Sequence, residues 1–371
     1  MLLTPRSVPT LTRLPIITRA RTFSAYFNMQ ALFEKALRDI NAKKKSSVPW
    51  RRDQPYAQTY YSFSSLEDGW TSTKPDEHQT LGSYGKTPAK LSLYSWNVDF
   101  MLPHAKPRMT AALGHLASII TPTRPSALAV IFLQEMLDSD LTTISEHPDI
   151  RANFYMTDLT TEYWESGHYG TVTLIDKRLP IKDVFRVHYT DTRMERDALF
   201  VDVLHPSSPD KPIRFCNTHL ESLIANPPLR PPQMKMAAKF MHDDAVLASI
   251  LAGDLNAIQP FDKTLHSDNE LKDAYLELGG DEDDAAGHTW GQQAATNLRE
   301  QFGTSRMDKV FFCGDIDVTK CEKFGMDVVV ADHDVEDDLL KLGLEKPWVT
   351  DHLGIWAEFA VKKRNEGMPS L

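Results

Sequence analysis

Apolar positions along this chain gather into short runs that close on polar residues. The clearest is Ala245-Val246-Leu247-Ala248-Ser249-Ile250-Leu251-Ala252, followed by Gly253-Asp254-Leu255-Asn256. Such a run predicts a fully buried strand, and the glycine and polar residues after it mark where the strand meets solvent. Leu91 and Leu93 with the alternating Tyr94-Ser95-Trp96 predict a strand ending at Asn97, and residues 128–133 predict one ending at Gln134-Glu135. Further strands are expected over residues 170–175, 198–204, 213–217, 307–313 and 352–360. Helical spacing appears over 109–120, 232–242 and 271–278. It also appears over 28–42, where Lys43-Lys44-Lys45 complement the C-terminal dipole of an amphipathic helix. Residues 46–90 carry Trp50, Tyr56, Tyr60, Tyr61, Phe63 and Trp70 without a period and read as an irregular arm ordered by its aromatics. Many strands with few helices between them predict stacked sheets flanked by helices, not a regularly alternating parallel sheet.

Length and charge narrow the function classes. With 371 residues, 42% hydrophobic and 25% charged, the chain can bury a sizeable core in one large or two medium domains. A formal charge of -10 offers no global positive field for nucleic acid or anionic membrane. No apolar run approaches the roughly 20 residues needed to cross a bilayer. Cys216, Cys313 and Cys321 lack paired zinc spacing, and their odd number does not suggest a disulfide framework, so a reducing compartment is expected. The acidic stretches Asp281-Glu282-Asp283-Asp284 and 332–338 read as solvated loops. Arg6, Arg13, Arg19 and Arg21 precede the first acidic residue, Glu34, which is the composition of an organellar transit peptide. Pro5, Pro9 and Pro15 weaken a helix there, so residues 1–27 read as a transit peptide or a disordered basic tail, and the location as mitochondrion or nucleus.

Asp254 and Asn256 are two apart, so in extended backbone they share a face, one an anionic acceptor and the other able to donate and accept. That pair suits a base beside an oxyanion donor; taken alone, the tetrapeptide also reads as a capped strand end with an Asx turn. The pattern recurs. Asn97, Glu135, His219, Asp254 with Asn256, Asp308, and Asp351 with His352 all fall where buried strands meet their ends.

In that order the motifs resemble those of the endonuclease/exonuclease/phosphatase superfamily. They are Trp96-Asn97, Leu133-Gln134-Glu135, Thr218-His219-Leu220-Glu221-Ser222, Gly253-Asp254-Leu255-Asn256, the run from Arg306 to Phe312, and Thr350-Asp351-His352. The resemblance spans residues 90–361 and implies an α/β (α+β) fold, a four-layered αββα sandwich of two packed sheets flanked by helices. Residues 28–89 then form a helix and aromatic arm, and 362–371 a tail. Within the superfamily the motifs are most like the 5′-tyrosyl-DNA phosphodiesterases, through Ser95-Trp96-Asn97-Val98-Asp99, Met194-Glu195-Arg196-Asp197, His288-Thr289-Trp290 and residues 218–222. Ile258 stands where that group usually has an arginine, which puts one phosphate or base contact in doubt.

The resemblance implies a Mg²⁺-dependent enzyme, with Mn²⁺ as a substitute. Glu135 is a hard oxygen ligand of the kind Mg²⁺ prefers, with Asn97 and Asp351 in the metal's surroundings. Asp254 would orient and deprotonate the attacking water, Asn256, His219 and His352 would donate to the phosphoryl charge, and Asp308 would pair with His352. Ser222, Arg196, Trp290 and Leu298 would face the substrate, a DNA end with a 5′-phosphotyrosyl adduct, single-stranded near that end and bound by a monomer. Abasic endonucleases, exonucleases and phosphatases share the same core set. A catalytically silent binding protein on this scaffold is disfavoured, because the chain keeps every member of the set.

Overall fold

The computed structural model describes residues 42–45, 47–75 and 90–362, together with Lys35 and Arg38. Residues 1–27, most of the helix expected over 28–42 and the tail from 363 lie outside the described residues; Lys35, Arg38, Ala42 and Lys43 are helical. Three short strands, β1 (Pro55–Ala57), β2 (Tyr60–Ser64) and β3 (Gly69–Thr73), precede β4 (Lys90–Asn97). Helix α1 (Ala105–Ile120) leads to β5 (Ala127–Met136), followed by α2 (Asp138–Glu146), α3 (Pro148–Asn153), β6 (Phe154–Met156), β7 (Gly170–Asp176), β8 (Ile181–His188), β9 (Asp197–His205) and β10 (Ser208–Thr218). Next come α4 (Arg230–Met241), β11 (Ala248–Asp254), β12 (Lys272–Asp273), α5 (Ala274–Glu277), α6 (Thr296–Phe302), β13 (Asp308–Gly314), β14 (Ile316–Phe324), α7 (His333–Lys341) and β15 (Gly354–Val361).

Strands that are apolar on both faces need cover on both faces, and that requirement builds the layers. Leu91 and Leu93 of β4 enter one core while Tyr94 and Trp96 enter another. One sheet runs β1-β8-β9-β10-β11-β13-β12 and the other β14-β15-β4-β5-β7-β6-β2-β3. Between them lies a core that includes Leu93, Val130, Phe132, Val201, Phe215 and Ile250. Met109, Leu113 and Leu116 of α1 cover the outside of the second sheet, and Met234, Ala237 and Met241 of α4 cover the outside of the first. The result is the αββα sandwich that the motif order implies.

Two β-α-β units orient the site. β4 pairs parallel with β5 across α1, and β10 pairs parallel with β11 across α4. A crossover returns the chain in the same direction, so each unit ends both of its strands at one edge of its sheet. Asn97, Glu135, Thr218 and Asp254 occupy those ends. Close approach of β10 to β11 requires Gly253: its φ is 152°, and a Cβ there would sit 1.7 Å from the Thr218 carbonyl oxygen.

Several elements depart from the local pattern. The arm contains β1, β2 and β3, which extend both sheets at their margins. β8 escapes periodicity because Arg186 and His188 point inward; fully buried Arg186 pairs with Asp158 at 2.8 Å and Asp197 at 3.0 Å. β14 is a sheet edge, where charged residues are common and mask the strand. The acidic stretches are not both solvated loops. Asp332 accepts from the amides of Asp334 and Val335 and so caps α7, whose acidic first turn suits the helix dipole. Glu282 neutralises buried Lys309 at 2.7 Å and also pairs with Arg306. The segment 271–278 is a two-residue strand and one helical turn, and residues 352 and 353 form a loop ahead of β15. No helix among the described residues is long and apolar enough to cross a membrane.

Gly253→Ala should cost roughly 3 kcal/mol of stability, because the added carbon meets backbone at a φ that disfavours it. Chemical denaturation checks this, and a variant as stable as wild type would show that β10 and β11 separate easily.

Candidate active site

The site is assembled from strand ends that face each other across the sandwich. Asn97 Nδ2, at the end of β4, donates to Asp254 Oδ2 of the opposite sheet at 3.0 Å. Asp254 Oδ1 accepts the Asn256 amide at 2.8 Å, and His219 Nε2 lies 3.2 Å from Oδ2. Asn256 Nδ2 is 3.0 Å from the same imidazole nitrogen and donates to Leu220 O. Asp308 begins β13 directly opposite Asp254, and its carboxylate accepts from His352 Nδ1 at 2.8 Å. His352 Nε2 then faces Asp254 at 3.7 Å and Asp351 at 3.8 Å. Glu135 Oε1 is 3.8 Å from His219, and its Oε2 accepts the Phe100 amide. Glu135 (φ 63°) and Asn256 (φ 48°) adopt left-handed backbone, strain of the kind that collects at functional sites.

Environment shifts the two histidines in opposite directions. Burial, then the Arg196 guanidinium, lowers His219 to about 4. Arg196 donates to Nδ1, which leaves the ring proton on Nε2, pointing at Asp254. For His352, burial opposes the charge, but Asp308, Asp254 and Asp351 outweigh it and raise its pKa well above the ordinary value. Burial also opposes the Asp254 anion, yet His352 and His219 hold its pKa far below the usual carboxylate range. Glu135 is pushed up to about 8 by burial and by Asp99, and Asp99 to about 6 by burial and by Asp351.

That crowding of carboxyl groups suits a cation. Glu135, His219 and Asp254 bring ligand atoms within 4.8 Å of one another, as do Asp254, Asp308 and His352. Both clusters contain buried carboxylates, whose hard oxygen atoms suit a divalent ion.

Of the substrate-facing residues expected from sequence, Arg196 and Ser222 come together: Arg196 Nη2 donates to Ser222 Oγ at 3.0 Å. Trp290 is half-buried and donates to Asp351 Oδ2 at 2.6 Å, which makes it a wall of the site. Leu298 lies in α6 against the core on the α1 side. Sequence reasoning passed over Asp99, although it stands in the first motif. It also missed Phe100, stacked on Tyr169 at 4.6 Å, and Tyr169 itself, over which Arg196 lies at 5.0 Å. Thr289 and Thr350 were missed too: Thr289 Oγ1 accepts the Asp308 amide, and Thr350 Oγ1 donates to the Asn97 carbonyl and accepts the His352 amide. Their sequence signal was membership of the motifs 288–290 and 350–352.

Fold and site together define a hydrolase scaffold with candidate metal-binding residues. The chain belongs to the Endonuclease/Exonuclease/phosphatase family, whose model matches residues 94–352. Its fold is similar to that of D. rerio TDP2 complexed with single strand DNA product (18% identity, 74% of this chain and 100% of that one, TM-score 0.55). It is also similar to TDP2 from C. elegans (21% identity, 75% and 77%, TM-score 0.53) and to the human Nocturnin catalytic domain (14% identity, 78% and 100%, TM-score 0.52). No curated protein matches the chain in a sequence comparison.

The Asp308–His352 pair predicts a pH effect. A histidine whose folded pKa is raised contributes stability that is complete below its unfolded value, about 6.5, and is lost as pH climbs through the folded value. Asp308→Asn should move the His352 titration, read by NMR, toward the ordinary value and shrink that contribution. An unmoved titration would mean that Asp308 does not hold the proton.

Proposed function

We propose that the protein is a Mg²⁺-dependent phosphodiesterase that hydrolyses the 5′-phosphotyrosyl bond between a protein tyrosine and a DNA end, as in repair of trapped topoisomerase. The observation that carries this reading is the meeting of Asn97 and Glu135 from one sheet with Asp254, Asn256 and His219 from the other. Phosphodiester hydrolysis needs positive charge on the phosphoryl oxygens, an oriented water, and donors for the charge that develops. Held by Glu135 and Asn97 with Asp351 alongside, Mg²⁺ would supply that positive charge.

The chain's own groups do the rest. A carboxylate offers about four lone-pair directions, and Asn97, His219 and the Asn256 amide occupy those of Asp254 except one. That remaining direction orients the water. Because Asp254 is held as a weak base, it takes the proton only as the new P–O bond forms and the bond to the tyrosine oxygen breaks. The single N–H of neutral His219 is committed to Asp254, so the donors to the phosphoryl charge are Asn256 and protonated His352 through Nε2. Partly exposed Phe100 offers an aromatic face beside the site, backed by buried Tyr169 stacked on it and by Arg196 over Tyr169. Base stacking on such a face is worth about 1–3 kcal/mol per base, which lets a chain of net charge -10 bind a single-stranded end without a global positive field. Similarity to D. rerio TDP2, a protein described with a single strand DNA product, supports this choice within the family.

The test is the purified protein with Mg²⁺ and a panel of 5′-phosphotyrosyl, abasic, polyadenylate and inositol-phosphate substrates. Preference for the first is expected, and preference for another would replace this reading. Glu135→Ala and Asp254→Asn should each lower turnover by orders of magnitude with the fold intact, and EDTA should inhibit with Mg²⁺ restoring activity. Trp290→Ala should raise KM on a single-stranded 5′-phosphotyrosyl oligonucleotide more than Trp290→Phe does. A stability loss of roughly 3–5 kcal/mol in the alanine variant would instead mark Trp290 as core.

A further inference from the structure

The arm grips two loops whose far ends meet at the site. On the loop between β6 and β7, the Lys45 amide and Nζ donate to Glu165 O at 3.4 Å and Thr161 O at 3.0 Å, and Arg52 pairs with the Glu165 carboxylate. The Lys43 carbonyl packs so closely there that a Cβ on Gly167, itself at φ 63°, would come within 3.0 Å of it. On the loop between β8 and β9, Lys44 Nζ pairs with Glu195 Oε1 at 2.7 Å, Arg52 donates to Tyr189 O at 2.6 Å, and Asp53 accepts the Thr190 amide at 2.9 Å. Trp50 stacks on His188, where that loop begins, at 4.0 Å. The first loop ends at Tyr169 and the second at Arg196, the pair in contact beside His219.

Two buried carboxylates make this grip consequential. The side chains of Glu165 and Glu195 are 3% and 1% exposed, and Oε2 of each lacks a hydrogen-bond partner among the described residues. Each buried charge is therefore neutralised chiefly by one cation from the arm, Arg52 or Lys44, and a buried charge left without its partner is strongly unfavourable. Glu195 is also left-handed at φ 54°, a conformation that persists only where its surroundings over-determine it. Lys44 supplies that hold one residue before Arg196.

We propose that residues 44, 45 and 47–58 form a strap that keeps Tyr169 and Arg196 in register, with Lys44 and Arg52 as its positioning residues. Its effect on catalysis rests on the reading above that the aromatic face this pair backs receives substrate. The test compares full-length wild type with Lys44→Gln/Arg52→Gln and with Lys44→Arg, by hydrogen exchange and by kinetics. The double variant should exchange faster in residues 161–169 and 189–197 together, ahead of the strands of the two sheets, with a lowered melting temperature. Its KM on the 5′-phosphotyrosyl oligonucleotide should rise roughly threefold or more with kcat little changed. Lys44→Arg should behave as wild type. Unchanged exchange in the two loops overturns the strap. Loss of protection throughout both sheets to the same extent as in the two loops overturns the positioning role in favour of general stability. If wild type fails to cleave this substrate while the two loops respond as expected, the proposed activity falls and the strap stands.

Discussion

The hydrogen bond between Asn97 and Asp254 is the constraint on which the rest of the site depends. Each residue closes a strand of a different sheet, and the bond joins their buried side chains at 3.0 Å. Apolar packing between the sheets is strong but non-directional, so it leaves open how one sheet is aligned over the other. Buried polar groups remove that freedom, because an amide or carboxylate left without its partner is costly. Gln134 and Asn217 repeat the device deeper in the sandwich: Gln134 Nε2 reaches Asn217 Oδ1 at 2.9 Å, and Asn217 Nδ2 reaches Val172 O at 2.9 Å. The two β-α-β units are thus held edge to edge, and the side chains at their ends share one pocket.

Once those ends meet, burial and neighbours divide the chemistry. Asp254 and Glu135 are both buried carboxylates, yet one is held far below the ordinary range by two imidazoles and the other is raised to about 8 by burial and Asp99. His219 and His352 are both buried imidazoles, yet Arg196 beside one and Asp308 beside the other push them in opposite directions. Roles in this site follow from surroundings, not from residue type. The same logic gives the arm its importance, since Lys44 and Arg52 compensate buried charge on the two loops that carry Arg196 and Tyr169.

Much of the scaffold was legible in the chain because the responsible forces are local. A run such as 248–254 is apolar on both faces whatever surrounds it, so β4, β5, β10, β11 and β13 and the polar residues that end them could be read directly. β8 could not, because Arg186 is tolerated inside only through Asp158 and Asp197, which lie 28 and 11 positions away. The strands of the arm were hidden for a related reason: Tyr56 and Tyr61 join their sheets against Arg186 and Met156, which come more than ninety residues later. Glu282 and Asp332 sat in acidic stretches that look solvated until a buried lysine and a helix N-terminus claim them.

By itself the sequence determined where the buried strands end, which polar residues stand there, and through their order the family to which the chain belongs. Tertiary structure decided that Asn97 lies against Asp254, that Asp99, Phe100 and Tyr169 border the site, that Trp290 turns its N–H to Asp351, and which histidine carries a charge. The physical reason is distance along the chain. Strand formation is set by neighbours a few residues away, whereas contact and protonation are set by sheet packing that joins positions as far apart as 97 and 254.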